Sequence, residues 1–178
     1  ATENPTVIKR FEREALTTAS LGHENIVQIT DFGEDPQYGH FLVMEYCDGQ
    51  PLNDLVNDEG ALPPRRALHI TRQIADALSV VHEKGIIHRD LKPANVFVLQ
   101  RPRKPDLVKV LDFGIAAIKQ PEGEARLTQA GMVLGSPSYM APEQAMGKDL
   151  DARADLYALG IMLHQMLSGS VPFQAQSD

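Results

Sequence analysis

His88-Arg89-Asp90-Leu91-Lys92-Pro93-Ala94-Asn95 is the stretch on which the reading of this chain turns. Within eight residues it gathers a carboxylate, an ammonium and a side-chain amide. Before it, Ala67, Ile70, Ile74, Ala77, Leu78 and Val81 recur at helical spacing between Pro63-Pro64 and His82, and Gly85 stands where a left-handed helix cap is wanted. After it, residues 96–99 are apolar and β-branched, as in a short strand. A polar octet between a helix cap and a strand reads as a loop that exposes functional groups on a rigid base.

Working outward, residues 107–111 predict a second short strand, with the basic stretch RPRKPD (101–106) as a solvated hairpin turn that is given no function. Such a hairpin returns Asp112-Phe113-Gly114 to the neighbourhood of Asn95, and a carboxylate beside an amide oxygen suits Mg²⁺. Residues 115–138 show little periodicity and read as a functional loop. At 151–168, Leu156, Leu159, Leu163, Met166 and Leu167 predict a core helix that stops at Gly169. Upstream, Ile8, Phe11, Ala15 and Ala19 give an amphipathic helix over 7–21. Two apolar runs, 25–32 and 40–46, flank the turn-forming GEDPQYG and predict an antiparallel hairpin. Gly49, Pro51 and a short polar helix lead on to Pro63. The order predicts an α+β chain, with a small β-rich lobe carrying one helix over 1–46 and a mainly helical lobe over 47–178.

Composition narrows the function classes. The chain has 178 residues, 43% hydrophobic and 23% charged, within the range of a globular domain. Its net charge of -7 removes the non-specific attraction that nucleic acid or an anionic membrane would need, so neither is expected as a partner. Cys47 is the only cysteine, and no Cys/His cluster has metal-ligand spacing, which argues for a reducing, cytoplasmic setting. No apolar run reaches the 18 residues of a membrane span, and ATENPT lacks the pattern of a signal peptide. The chain starts without Met and enters a helical pattern within a few residues, from which we expect a longer natural protein.

HRDLKPAN, DFG and Ala141-Pro142-Glu143, in this order, resemble the signature set of the protein kinases, and APEQ with HRDLKPAN is most similar to bacterial serine/threonine kinases. The resemblance covers almost the whole chain and implies a protein-kinase-like fold with the active site between the lobes. It implies ATP and Mg²⁺, and a protein substrate with a Ser or Thr acceptor. Asp90 would take or orient the proton of the attacking hydroxyl, Lys92 would lie against the transferring phosphate, and Asn95 and Asp112 would hold the metal. Glu14 resembles the helix glutamate that pairs with the ATP-binding lysine, although periodicity alone does not choose it over Glu12. Met44-Glu45-Tyr46-Cys47 resembles the hinge: Met44 gates the adenine pocket, Glu45 and Cys47 offer main-chain groups to the base, and Phe97 is its apolar floor. Ser136 stands where the family usually has threonine, and Arg89 implies a basic pocket for a phosphate on 115–138, Thr128 being the preferred acceptor and Ser136 and Ser138 the next.

Other positions have plainer readings. His88 reads as a buried packing residue, Asp155 as a carboxylate favoured by the dipole at a helix start and Glu143 as a surface helix acid, while the resemblance implies that Asp155 anchors the backbone of the polar loop and that Glu143 pairs with an arginine on a later helix. Asp54, Asp58 and Glu59 read as a solvated face, Lys9 as exposed, and Cys47 as a small apolar residue rather than a reactive thiol. No G-x-G-x-x-G loop and no strand lysine precede Glu14, so we expect these residues alone to be inactive. A pseudokinase-like scaffold without turnover and a small-molecule phosphotransferase of related fold are the alternatives. Intact Asp90, Lys92, Asn95 and Asp112 weigh against the first, and the APE segment against the second. Dimerisation, a membrane anchor beyond these residues, and the choice between Mg²⁺ and Mn²⁺ stay open.

Overall fold

The computed structural model describes residues 21–113 and 137–173. The expected helix with Glu14, and the loop with Thr128 and Ser136, lie outside those residues. Strands β1 (Ile29–Asp35) and β2 (Gly39–Met44) pair antiparallel as a two-stranded sheet. The Asp35 carboxylate closes their turn by accepting the amides of Gln37 and Tyr38 at 2.8 and 2.9 Å. A second sheet has the order β3-β4-β5, antiparallel throughout, from β3 (Gly49–Pro51), β4 (Val96–Arg101) and β5 (Lys104–Val110). Helices α1 (Leu52–Glu59), α2 (Pro64–His82), α3 (Pro142–Ala145) and α4 (Arg153–Ser168) complete the described architecture.

Helix α2 forms the spine of the core. Its six predicted apolar positions are all at most 1% exposed, and they pack with Leu52, Leu55 and Met162 of α1 and α4 and with Val96, Val98, Val108 and Val110 of the sheet. It ends as its residues dictate: the Ile86 amide donates to the Val81 carbonyl and the Gly85 amide to that of His82, with Gly85 at φ 72°. This is the paired bonding that a left-handed glycine allows at a helix end.

Several boundaries differ from the sequence expectation. The first hairpin strand begins at Ile29, not at residue 25, because residues 25–27 bond to β5. The Val110 amide donates to the Asn25 carbonyl, the Val27 amide donates to the Val110 carbonyl, and Ile26 bridges Val110 in parallel. The Asn25 side chain holds that docking by donating to Gln73 Oε1 and to the Val108 carbonyl at 3.0 and 2.9 Å. The stretch 101–106 is mostly strand, since β4 runs to Arg101 and β5 starts at Lys104. Its charges are partly spent: Lys104 pairs with Glu24, and Asp106 takes a two-pronged hydrogen bond from Arg66, which also reaches Glu59. Glu59 therefore belongs to an ion-pair chain rather than a purely solvated face. β3 was unforeseen because Gly and Pro read as turn residues. On α4 the buried face is carried by Ala154, Ala158, Leu159, Ile161, Met162 and Met166, while Leu156 and Leu167 are exposed.

Candidate active site

The octet 88–95 leaves the turn after α2 and ends in a single 3-10 turn, Pro93–Asn95, that feeds β4. Within it, Lys92 Nζ donates to Asp90 Oδ2 at 2.7 Å, and Asn95 Nδ2 donates to the Asp90 carbonyl at 2.9 Å. Asp90 thus touches both Lys92 and Asn95, and its side chain is 41% exposed. Because the Asn95 amide nitrogen faces Asp90, its orientation is set and Oδ1 is the atom left to face a cation.

Arg89 stands at φ 67°, the left-handed region that a branched or long side chain rarely adopts. Its neighbours hold it there. Asp155, on the first turn of α4 and 1% exposed, accepts the amides of His88 and Arg89 at 2.8 and 3.0 Å. The expected anchoring role of Asp155 is what the contacts describe. His88 is fully buried, as its plain reading required, and its ring tilts against Phe113 with centroids 4.9 Å apart. Its Nε2 lies 2.9 Å from the Leu111 carbonyl and its Nδ1 3.4 Å from the Asp90 amide. A carbonyl needs a donor and an amide needs an acceptor, so this bonding calls for a proton on Nε2 and an accepting lone pair on Nδ1.

The second loop meets the first through residue 111. The Leu111 amide donates to the Asn95 carbonyl at 2.9 Å while its own carbonyl takes the His88 proton. Asp112 follows at φ 62°, exposed, and turns away from the strand direction at the point where Phe113 enters the core. Asp112 and Met44 line one cleft with Val27, Ile29, Leu42, Val110 and Phe113. The cleft therefore joins the end of β2 to the end of β5.

The hinge candidates lie beside it. Phe97 pairs in register with Pro51 on one side and Lys109 on the other, so the three share a face of the sheet. Lys109, only 12% exposed, reaches Glu45 Oε1 at 2.5 Å, and the same oxygen accepts the Gln28 amide at 2.9 Å. Burial alone would push the Glu45 carboxyl up, yet these bonds hold it below the usual carboxylate range. Burial, with help from the Glu45 charge, pushes the half-buried Cys47 thiol up, in keeping with an unreactive side chain. Of the candidates for catalysis and nucleotide binding, Glu14 alone falls outside the described residues. Among those described, no three His, Cys, Asp or Glu side chains cluster to hold a metal, and no helix is long and apolar enough to cross a membrane.

Three contributors escaped the sequence reading. His82 places Nε2 2.7 Å from Asp155 Oδ2, Lys109 binds Glu45, and Gln144 donates to the Arg89 carbonyl at 2.5 Å. Strand alternation sets Lys109 on the face opposite to the buried Val108 and Val110, which was a usable signal. Nothing local marks His82, and Gln144 stands out only as the last residue of the APEQ stretch.

These contacts sit in a chain whose full length, residues 1–178, matches the protein kinase domain. The serine/threonine-protein kinase pkn3 of Myxococcus xanthus is 46% identical over 171 residues, which are 96% of this chain and 31% of that protein. The crystallised kinase domain of Mycobacterium tuberculosis PknI superposes with a TM-score of 0.72 at 29% identity, over 98% of this chain and 62% of that one. Rad53 1-466, crystallised with AMP-PNP, gives 0.74 at 31% identity, over 93% of this chain and 39% of the other. The chain belongs to the protein kinase family, and its fold is that of a kinase domain. Proteins of this family use ATP and a divalent metal, and its named relatives here are serine/threonine kinases. The chain spans about a third of pkn3.

Proposed function

We propose that the protein containing this chain transfers the γ-phosphoryl group of ATP to a serine or threonine hydroxyl of a protein. The observation that carries this reading is the contact of Asp90 with both Lys92 and Asn95, on a loop whose two ends bond to the residue before Asp112.

In this reading the hydroxyl oxygen attacks the γ-phosphorus as the bond to the β,γ-bridging oxygen breaks. ADP leaves with that electron pair, and the hydroxyl proton passes to the Asp90 carboxylate. Lys92, which rests on Asp90, has a second partner once a phosphate arrives, and its ammonium then offsets charge on the group in flight. The donor set of one carboxylate, Asp112, and one amide oxygen, Asn95 Oδ1, suits Mg²⁺, which takes few protein ligands when phosphates supply the rest. When bound, the metal neutralises phosphate charge. Most of the work assigned to the chain is positioning, because a loose phosphoryl-transfer transition state asks for little covalent chemistry. Phe97 and Met44 would bound the adenine, and the backbone at 45–47 would meet its edge. Lys at 92, two residues after the aspartate, favours serine/threonine over tyrosine acceptors.

The test is Asp90→Asn in the full-length protein, with transfer of radiolabelled phosphate to a serine- and threonine-containing protein as readout. Turnover is expected to fall by roughly 10²–10⁴-fold with the fold intact. Unchanged rates would refute the assignment.

A further inference from the structure

Most polar backbone atoms between the His88 amide and the Asp90 carbonyl have a named partner. Asp155 takes the His88 and Arg89 amides, His88 Nδ1 faces the Asp90 amide, and Asn95 takes the Asp90 carbonyl. Among the described residues, the Arg89 carbonyl takes no hydrogen bond from α4 or from the loop itself. It is bonded by Gln144, in α3 and only 7% exposed. We infer that Gln144 is a positioning residue for Asp90, fixing the Arg89–Asp90 peptide from the side of the segment 137–145.

The physical argument begins with strain. A left-handed arginine costs on the order of 1–2 kcal/mol against its ordinary conformations, so the peptide relaxes unless its neighbours over-determine it. Asp155 restrains Arg89 at its amide only. Rotation about the next two bonds would move the Arg89 carbonyl and the Asp90 side chain together while leaving both Asp155 bonds in place. Within the loop that rotation is opposed by the 3.4 Å contact of the Asp90 amide with His88 Nδ1, and a donor on the Arg89 carbonyl holds the other side of the same peptide. Gln144 is suited to the task because its amide donates without charge at a buried position, where an unpaired charge would be costly.

The segment bearing Gln144 is itself fixed to the same support. The Tyr139 hydroxyl donates to Gln165 Oε1 at 2.7 Å, and Gln165 lies on α4, as does Asp155. Ten residues separate those two on α4, about 15 Å along the helix. Residues 139–144 therefore bridge from the far part of α4 back to the catalytic loop. The Gln144 hydrogen bond is thus the contact by which this segment meets the Arg89–Asp90 peptide. The inference rests on the kinase reading above.

Two variants in the full-length protein test it. Gln144→Met keeps the length and removes the donor, and is expected to lower kcat about tenfold while KM for ATP stays within about twofold. Gln144→Glu presents a carboxylate to the carbonyl at high pH and an O–H donor once protonated. Its kcat relative to the unsubstituted protein is expected to rise severalfold as pH falls from about 8 to about 6, a change that a packing role would not produce. A Gln144→Met protein with unaltered kcat, or a Gln144→Glu ratio that is flat with pH, overturns the inference. If neither variant folds, by circular dichroism, Gln144 is a folding determinant and the inference also fails. Absence of transfer by the unsubstituted protein is a separate result, seen before any variant is made, and it removes the kinase reading itself.

Discussion

His82 and Asp155 lie 2.7 Å apart, Nε2 to Oδ2, and so join the last turn of α2 to the first turn of α4 where Asp155 also bonds the loop 88–95. The carboxylate is 1% exposed and accepts three hydrogen bonds, from this ring and from the His88 and Arg89 amides. A buried carboxylate survives only when paired in this way. The aspartate thus links stability to site geometry, since the donors it satisfies belong to the loop that carries Asp90.

Asp155→Ala is predicted to cost about 3–5 kcal/mol, because it leaves two buried amides and an imidazole without an acceptor. Urea denaturation of the full-length protein measures this. His82→Gln keeps a donor within reach and is expected to cost under half as much. Equal losses from the two changes would show that the ring, and not the carboxylate, is the main support.

Lys109→Met keeps an apolar stem on the Phe97 face and removes the ammonium from Glu45. Only the Gln28 amide then restrains that carboxylate. The backbone at 45–47 is expected to loosen, and, if it meets the adenine as proposed above, KM for ATP is predicted to rise roughly three- to tenfold with kcat little changed. Steady-state kinetics at varied ATP separate the two; a fall in kcat alone would place the role of Lys109 elsewhere.

The Arg66–Asp106 fork has both nitrogens at 2.8 Å, and the Asp106 side chain is 13% exposed. The hydrogen bonds from Arg66 hold the Asp106 carboxyl below the usual aspartate range, against burial that pushes it up. A carboxyl lowered in the folded state stabilises the fold above its unfolded pKa of about 3.9 and loses that contribution as pH falls through the lower folded value. Arg66→Met should therefore cost about 1–2 kcal/mol near neutral pH, and the difference from the unsubstituted protein should shrink below about pH 4. Denaturation midpoints at about pH 7 and about pH 3.5 check the sign.

Gly49→Ala should destabilise the hinge side of the sheet. A methyl group at 49 would stand 2.5 Å from the Val98 carbonyl oxygen and 3.0 Å from the Leu99 Cα, and backbone atoms have little room to move. Overpacking of this kind costs about 1–3 kcal/mol. Because β3 pairs with β4 where Pro51 meets Phe97, weaker ATP binding is expected to accompany the lower thermal midpoint. Calorimetric melting and nucleotide titration of the full-length protein measure the two effects.

From the sequence alone one could determine the buried stripe of α2, its glycine stop, both hairpins, the family, and the octet that holds Asp90, Lys92 and Asn95. These are local patterns: 3.6-residue and two-residue periodicities, cap chemistry, and functional groups packed into one short loop, all set by neighbours a few positions away. The resemblance implies the Asp155 anchor, and only the tertiary structure decided that His82 and Gln144 join it in supporting the loop. Asp155 meets residues 88 and 89 across more than sixty positions, and Gln144 meets Arg89 across more than fifty. Asn25 keeps its stretch out of the expected strand by bonding to residues on α2 and β5. Such partners are chosen when helices and strands pack and leave particular buried amides and carbonyls in need of an acceptor or donor. That need arises from three-dimensional accounting of polar groups, for which linear spacing carries no signal.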